Sequence, residues 1–151
     1  MEKLLKTKVV MKGKRSMTIK IVIGVTIIAL AVGLYFAGNY IFQLQEYKKR
    51  IADISISNVD LSTIPNGSYT GSYDAVMIGA KVQVDISDHT IKNISILEHK
   101  NERGKKAEAI VNEIKSAQSL KVDTITGATN SSKVILKAVQ NALNSGVKKY
   151  V

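Results

Sequence analysis

Hydroxyl and amide side chains are concentrated in one short segment of the chain, Asp123–Ser132. Gly127 allows the backbone to turn tightly or to approach a ligand closely, and Ala128 keeps side-chain bulk away. The next four residues carry hydroxyl or amide groups: Thr129, Asn130, Ser131 and Ser132. If a helix starts here, its unpaired N–H groups and these side chains predict a site for an anion, above all a phosphate. Ordinary helix capping is the alternative, because Ser, Thr and Asn cap most helices.

Helical periodicity occurs on both sides of this segment. Lys105–Ser119 carries apolar residues at i, i+3, i+4 and i+7, which predicts an amphipathic helix with one apolar stripe. Ser131–Asn144 has the same pattern, and Gly146 is placed to end that second helix. The polar segment is therefore predicted to be a loop that leads into the second helix.

Three strands are predicted ahead of the helices, after a turn signal at Pro65–Gly67. Ser68–Tyr73 is rich in Tyr and Thr, whereas Lys81–Ser87 alternates apolar and polar residues as a half-buried strand does. Thr90–Glu98 follows after a short turn, so the last two strands are expected to form an antiparallel hairpin. Strands followed by helices predict an α+β fold, in which helices pack on an antiparallel sheet.

One apolar segment precedes this domain. Ile21–Ala37 is almost wholly apolar, and the next charged residue is Glu46. A helix of about 20 such residues spans the hydrocarbon core of a membrane, so the segment predicts a single transmembrane helix. We expect four segments along the chain: a basic tail (1–20), the transmembrane anchor (21–42), a stalk or linker (43–64) and the folded domain (65–151).

The distribution of basic residues gives the anchor a direction. Seven basic residues lie within residues 1–20, and three more follow the apolar segment closely. The positive-inside rule therefore predicts a single-pass protein whose N-terminus is cytoplasmic and whose domain is extracytoplasmic. A cleaved signal peptide is the alternative, since Ala31–Gly33 resembles a small-residue cleavage site. The domain is expected outside the cytoplasm in both cases.

The net charge of +10 does not indicate a nucleic-acid-binding protein. Residues 51–151 hold twelve basic and ten acidic residues, so the basic excess belongs to the flanks of the apolar segment. The lipid bilayer is the expected partner instead. The chain has no Cys, which excludes disulfides and thiolate metal sites. His89 is expected in a solvated turn and His99 at the surface or a sheet edge, and two isolated histidines predict no metal site.

The segment from Asp123 to Thr129 resembles the flavinylation motif, Asp-x-x-Ser/Thr-Gly-Ala-Thr, of the FMN-binding domain family. This family includes the FMN-carrying subunits of sodium-pumping NADH:quinone reductase and of Rnf-type complexes, as well as small exported bacterial proteins. Asn66–Gly71 is similar to the opening Gly-x-Tyr-x-Gly strand of the family, and the resemblance extends to about Ser145. The chain departs from the family at Asp74–Gly79, where many members have a Gly-rich turn.

The resemblance implies a covalently bound cofactor. In the family an FMN transferase, which uses FAD and a divalent metal ion, joins FMN through its phosphate to the last Thr of the motif, which is Thr129 here. Asp123 is expected to serve recognition by the transferase. The other residues expected to bind FMN surround the attachment site: Thr126, Gly127, Ala128, Asn130, Ser131 and Ser132.

The resemblance also implies an electron carrier rather than an enzyme with its own substrate. The flavin supplies the redox chemistry, and the protein supplies tethering and orientation. The expected electron donor lies in the membrane and is a quinol or a flavoprotein dehydrogenase. The alternative is a cell-surface binding or sensor module that holds FMN reversibly or holds no flavin.

Overall fold

The chain forms two compact units, Met1–Phe42 and Gln43–Val151. The computed structural model describes residues 2–101 and 104–148. The first helix, α1, runs over Glu2–Ala52. No Pro interrupts it, because the single Pro of the chain is Pro65. Within the described residues, Met17–Ala52 is the one helical stretch long and apolar enough to cross a membrane by length and composition. Its apolar side chains are exposed on all sides in residues 17–42, as expected of a helix that meets lipid.

The second unit contains a three-stranded antiparallel sheet in the order β1-β2-β3. The strands are β1 Gly67–Asp74, β2 Gly79–Ser87 and β3 Thr90–Lys100. Strands β2 and β3 are joined at Asp88 and His89, whose φ angles are +52° and +57°. Two successive left-handed residues are what a tight hairpin of twisted strands requires. The predicted hairpin and the α+β fold class are therefore confirmed.

The helical half of the unit follows the sheet. A 3₁₀ segment, Lys105–Ala109, leads into helix α2, Ile110–Ala117, and helix α3 covers Thr129–Lys148. The stripe predicted over Lys105–Ser119 is therefore α-helical only in its second part. Helix α2 ends at Ala117, and the next residue, Gln118, is left-handed. The Gln118 side chain accepts a hydrogen bond from the amide of Ile91 on β3 and donates one to the carbonyl of Ile91. That pairing replaces two ladder hydrogen bonds at the open edge of the sheet.

Helix α3 is longer than predicted at both ends. It begins two residues before Ser131, and it continues past Gly146, which does not end it. Gly146 is needed for packing instead, because a Cβ there would lie 2.8 Å from Cγ2 of Ile64 and 3.0 Å from the ring of Tyr69. The prediction of a C-terminal cap at this position was therefore wrong.

The core lies between one face of the sheet and helices α2 and α3. The alternation of β2 places Val82, Val84 and Ile86 inside. Helix α3 lies so close to β1 that a Cβ on Gly71 would overlap main-chain atoms of Ala138 and Ala142. The helices contribute further fully or almost fully buried side chains: Ile110, Ile114, Val134, Ile135, Val139 and Leu143.

Residues 43–64, which the sequence indicates as a stalk, lie against this core. Ile51 is 8% exposed and Ile64 is fully buried. The Tyr73 hydroxyl donates a hydrogen bond of 3.1 Å to the carbonyl of Arg50, and Lys137 Nζ donates one of 2.9 Å to the carbonyl of Ser55. Apolar burial and hydrogen bonds therefore attach this segment to the folded unit.

Candidate functional site

The loop before α3 is fixed by a turn at Thr126 and Gly127. The amide of Ala128 donates a hydrogen bond of 2.9 Å to the carbonyl of Ile125 across this turn. Gly127 has a φ of +72°, the left-handed value that a type II turn needs at its third residue. The Ser132 amide then donates to the Ala128 carbonyl at 2.9 Å, which is the first bond of α3. The loop therefore places Thr129 in the first turn of the helix.

The first turn of α3 presents unused main-chain donors. Among the described residues, the amides of Thr129, Asn130 and Ser131 have no acceptor. The first amides of a helix lack intrahelical partners and carry the positive end of the helix dipole. The Thr129 side chain is exposed beside them. A hydroxyl and a helix terminus with unused donors therefore lie together at this point.

A cleft of about 540 Å³ opens over this helix terminus. Its volume lies within the range of about 300–1,000 Å³ that is usual for small-molecule sites. The lining combines small residues with one aromatic and one aliphatic side chain, and consists of Tyr47, Ile78, Gly104, Gly127, Ala128, Thr129, Asn130 and Ser131. The ammonium group of Lys106 lies near the same loop, 2.8 Å from where a Cβ on Gly127 would be. The cleft thus combines residues with small side chains, which leave the main chain accessible, with a nearby positive charge.

The structure places the predicted site residues in three locations around the loop. Gly127, Ala128, Thr129, Asn130 and Ser131 line the cleft together. The remaining predicted residues are placed elsewhere: Asp123 and Thr126 line a second cleft, of about 620 Å³, with Glu113 and Lys121, and Ser132 is fully buried under the loop.

Ser132 has a partner that explains its burial. Its Oγ accepts a hydrogen bond of 3.1 Å from the amide of Ile125. This bond ties the start of the loop to the first turn of α3. Ser132 therefore shapes the loop from below rather than lining the cleft.

Four residues near the cleft were not predicted as part of the site: Tyr47, Ile78, Gly104 and Lys106. Asn130 Nδ2 donates a hydrogen bond of 2.7 Å to the hydroxyl of Tyr47, which lies 83 positions earlier in the chain. Gly104 packs so tightly on Ser131 that a Cβ would overlap the serine hydroxyl. Local periodicity carries no signal for these contacts, because they arise only when distant segments pack together. The one sequence signal was the lone Gly of the segment 101–104.

The two histidines lie outside the cleft lining. His89 is an exposed turn residue, as predicted, with Nδ1 3.3 Å from the carbonyl of Leu61. His99 lies on the edge strand β3, which is the second of its two predicted placements, and its side chain is only 3% exposed. Its Nδ1 lies 3.0 Å from Glu108 Oε1, and its Nε2 is buried without a partner among the described residues.

Comparison with known proteins gives one positive result. No curated protein and no solved structure matches the chain. The model of one protein family, the FMN-binding domain, matches residues 77–144. The matched segment includes β2, β3, α2, the motif loop and most of α3. Residues 77–144 of this chain therefore match an FMN-binding domain.

Proposed function

We propose that the protein carries FMN in phosphoester linkage to the Thr129 hydroxyl and serves as a membrane-anchored electron carrier outside the cytoplasm. The observation that carries the proposal is the position of Thr129. Its side chain is exposed on the rim of a ligand-sized cleft, at a helix terminus whose amides are unused by the described residues. A family match to the FMN-binding domain supports the identity of the ligand.

The residues of the cleft fit the chemical parts of FMN. The phosphate requires hydrogen-bond donors and positive charge, which the amides of α3 and the nearby Lys106 ammonium supply. The ribityl chain requires space close to the main chain, and Gly127 and Ala128 provide it. The ring requires an apolar wall, for which the cleft offers Tyr47 and Ile78.

The attachment is a group transfer from FAD. The Thr129 Oγ attacks the phosphorus atom of the FMN half, a P–O bond forms, the pyrophosphate P–O bond breaks and AMP leaves. The hydroxyl proton passes to a base of the FMN transferase or to solvent. No electrons are exchanged in this step. Thr129 is suited to it because the residue carries a hydroxyl and is exposed in the folded protein.

The role of the chain is to hold and orient the cofactor. When bound, FMN takes up and releases one or two electrons at a time. A covalent bond keeps the cofactor from diffusing away outside the cytoplasm, and the apolar helix keeps the domain beside a membrane donor. The donor is a quinol, which gives two electrons and two protons to become a quinone, or a flavoprotein dehydrogenase. The cleft remains open to electron acceptors that approach from the solvent.

The attachment is tested by loading the full chain in cells that express an FMN transferase. After denaturation, flavin fluorescence in the protein band reports covalent FMN. Thr129→Ser keeps a hydroxyl and should remain fluorescent, whereas Thr129→Val, which has the same shape without a hydroxyl, should be dark. A dark wild-type band in the presence of an active transferase would contradict the proposal and leave a reversible flavin binder or a sensor module.

The orientation is tested separately by single cysteines, since the chain has none of its own. Ser116 is exposed on α2, and Ser16 precedes the apolar stretch. In intact cells, a membrane-impermeant maleimide should label Ser116→Cys and should label Ser16→Cys only after lysis. The reverse pattern would contradict an extracytoplasmic domain.

A further inference from the structure

The aromatic wall of the cleft comes from the C-terminal end of helix α1. Tyr47 lies five residues before the end of that helix and belongs to the same compact unit as the cleft. Its side chain is half-buried and lines the same cleft as Gly127 and Ala128. Among the described lining residues it is the one aromatic side chain.

The Tyr47 ring is held in place from two directions. At its tip, the hydroxyl accepts the hydrogen bond of 2.7 Å from Asn130, the residue next to the attachment site. At its base, α1 is fixed by the buried side chain of Ile51, one turn further on. Arg50, between them, donates from Nη1 to the carbonyl of Asp74 at 3.0 Å. A phenol fixed at both ends is a preorganised surface for a flat ligand.

We infer that Tyr47 is the platform on which the isoalloxazine ring of Thr129-bound FMN rests, and that Asn130 orients this platform. The inference rests on the proposed function. Thr129 and Tyr47 line the same cleft, and Asn130 links the residue after the attachment site to the phenol. Flat aromatic systems favour offset stacking on one another, and the other described lining residues offer no second aromatic ring. The membrane-proximal helix is therefore part of the flavin site.

The inference is tested by the fluorescence of the native loaded protein. A phenol in contact with an excited flavin donates one electron to it and takes the electron back, which quenches emission without net oxidation. In the full chain loaded with FMN, Tyr47→Leu should raise the fluorescence per bound flavin severalfold. Tyr47→Trp, which keeps a flat oxidisable ring, should remain quenched. Tyr40→Leu is the matched control, because Tyr40 is 57% exposed in the other unit, and it should leave the emission unchanged.

Two further measurements distinguish a failure of the proposed function from a failure of this inference. Fluorescence of the denatured band gives the amount of covalent flavin in each variant, and an empty wild-type band would overturn the proposed function and this inference together. A loaded Tyr47→Leu protein with wild-type native emission would overturn this inference alone. Asn130→Ala keeps the Tyr47 ring but removes the hydrogen bond to its hydroxyl. We expect this variant to have an emission between those of wild type and Tyr47→Leu. Emission of Asn130→Ala equal to wild type would overturn the orienting role of Asn130.

Discussion

The buried hydroxyl of Ser132 accepts a hydrogen bond from the amide of Ile125 at 3.1 Å, across the loop that carries Thr129. The two residues enclose the turn at Thr126 and Gly127, so this bond closes the loop onto the helix that follows it. It explains why a serine stands at a position that the cleft does not reach. Ser132 therefore stabilises, from beneath, the loop that leads to Thr129.

Ser132→Ala should destabilise the domain while leaving attachment intact. The substitution leaves the half-buried amide of Ile125 without its acceptor, which costs about 1–2 kcal/mol of the free energy of unfolding. Urea unfolding of the fragment Gln43–Val151, followed by circular dichroism, measures this loss. Covalent flavin per protein in the full chain should match wild type, because the Thr129 hydroxyl is retained.

Ser145→Ala is the matched control for this prediction. Ser145 lies on the same helix, and its hydroxyl donates only to the carbonyl of Ala142 at 2.7 Å, one turn back. Its removal leaves no amide unpaired, so the change should stay within about 0.5 kcal/mol. Equal stabilities of Ser132→Ala and Ser145→Ala would remove the role assigned to Ser132.

The sequence was sufficient for those features that depend on local pattern. The alternation of Lys81–Ser87 predicted the face of β2 that is buried, and the polar loop before α3 was visible as a break between two helical stripes. These features are set by neighbours within a few positions, so a single window of sequence contains their cause.

The rest depends on contacts between distant segments. Tyr47 looked like part of a polar stalk, and only the packing of Ile51 and the bond from Asn130 bring it to the cleft. Gly146 was interpreted as a helix end, because its packing partners Ile64 and Tyr69 lie far away in the chain. A local pattern cannot distinguish a glycine that ends a helix from one that makes room for a neighbour.

Ile51→Ala should show that the end of α1 contributes to the stability of the domain. Ile51 is 8% exposed, and truncation of a buried Ile to Ala costs about 2–5 kcal/mol, of which we expect the lower part at this edge of the core. Urea unfolding of Gln43–Val151 measures the loss. Leu97→Ala is the control, since Leu97 is 52% exposed and should change stability by less than about 0.5 kcal/mol. A negligible effect of Ile51→Ala would indicate a stalk that is independent of the domain.

Gly71→Ala should be among the most damaging single changes in the sheet. The added Cβ overlaps main-chain atoms of Ala138 and Ala142, which cannot move aside as a flexible side chain can. Overpacking of this kind costs about 1–3 kcal/mol or more, and it should separate β1 from α3. Thermal unfolding of the same fragment reports the cost as a lower midpoint.

Gly79→Ala is the matched control, because Gly79 is also a glycine within a strand of the sheet. Its nearest contact would be 3.5 Å, to the carbonyl oxygen of Tyr73, which is ordinary van der Waals distance. We therefore expect a midpoint close to that of wild type. If Gly71→Ala unfolded at the same temperature as Gly79→Ala, the close approach of α3 to β1 would be contradicted.

Acid should selectively weaken the contact between β1 and β2 at Asp85. The Ser68 hydroxyl, which donates to Asp85 Oδ1 at 2.6 Å, and next the Gln83 amide hold the pKa of this carboxyl below its ordinary value. A lowered native pKa stabilises the fold above the unfolded pKa of about 3.9, and this contribution is lost as the pH falls through the native pKa. Ser68→Ala should therefore cost about 1 kcal/mol or less at neutral pH, since solvent screens the pair.

The pH dependence distinguishes this electrostatic contribution from a packing effect. The difference in the free energy of unfolding between wild type and Ser68→Ala should be constant above about pH 5 and should shrink below about pH 4, where Asp85 is protonated in the unfolded chain. Urea titrations of Gln43–Val151 at several pH values measure it. Ser72→Ala, at an exposed serine of the same strand, should show no such trend. A difference for Ser68→Ala that persists unchanged at low pH would mean that the serine acts through packing rather than through the charge of Asp85.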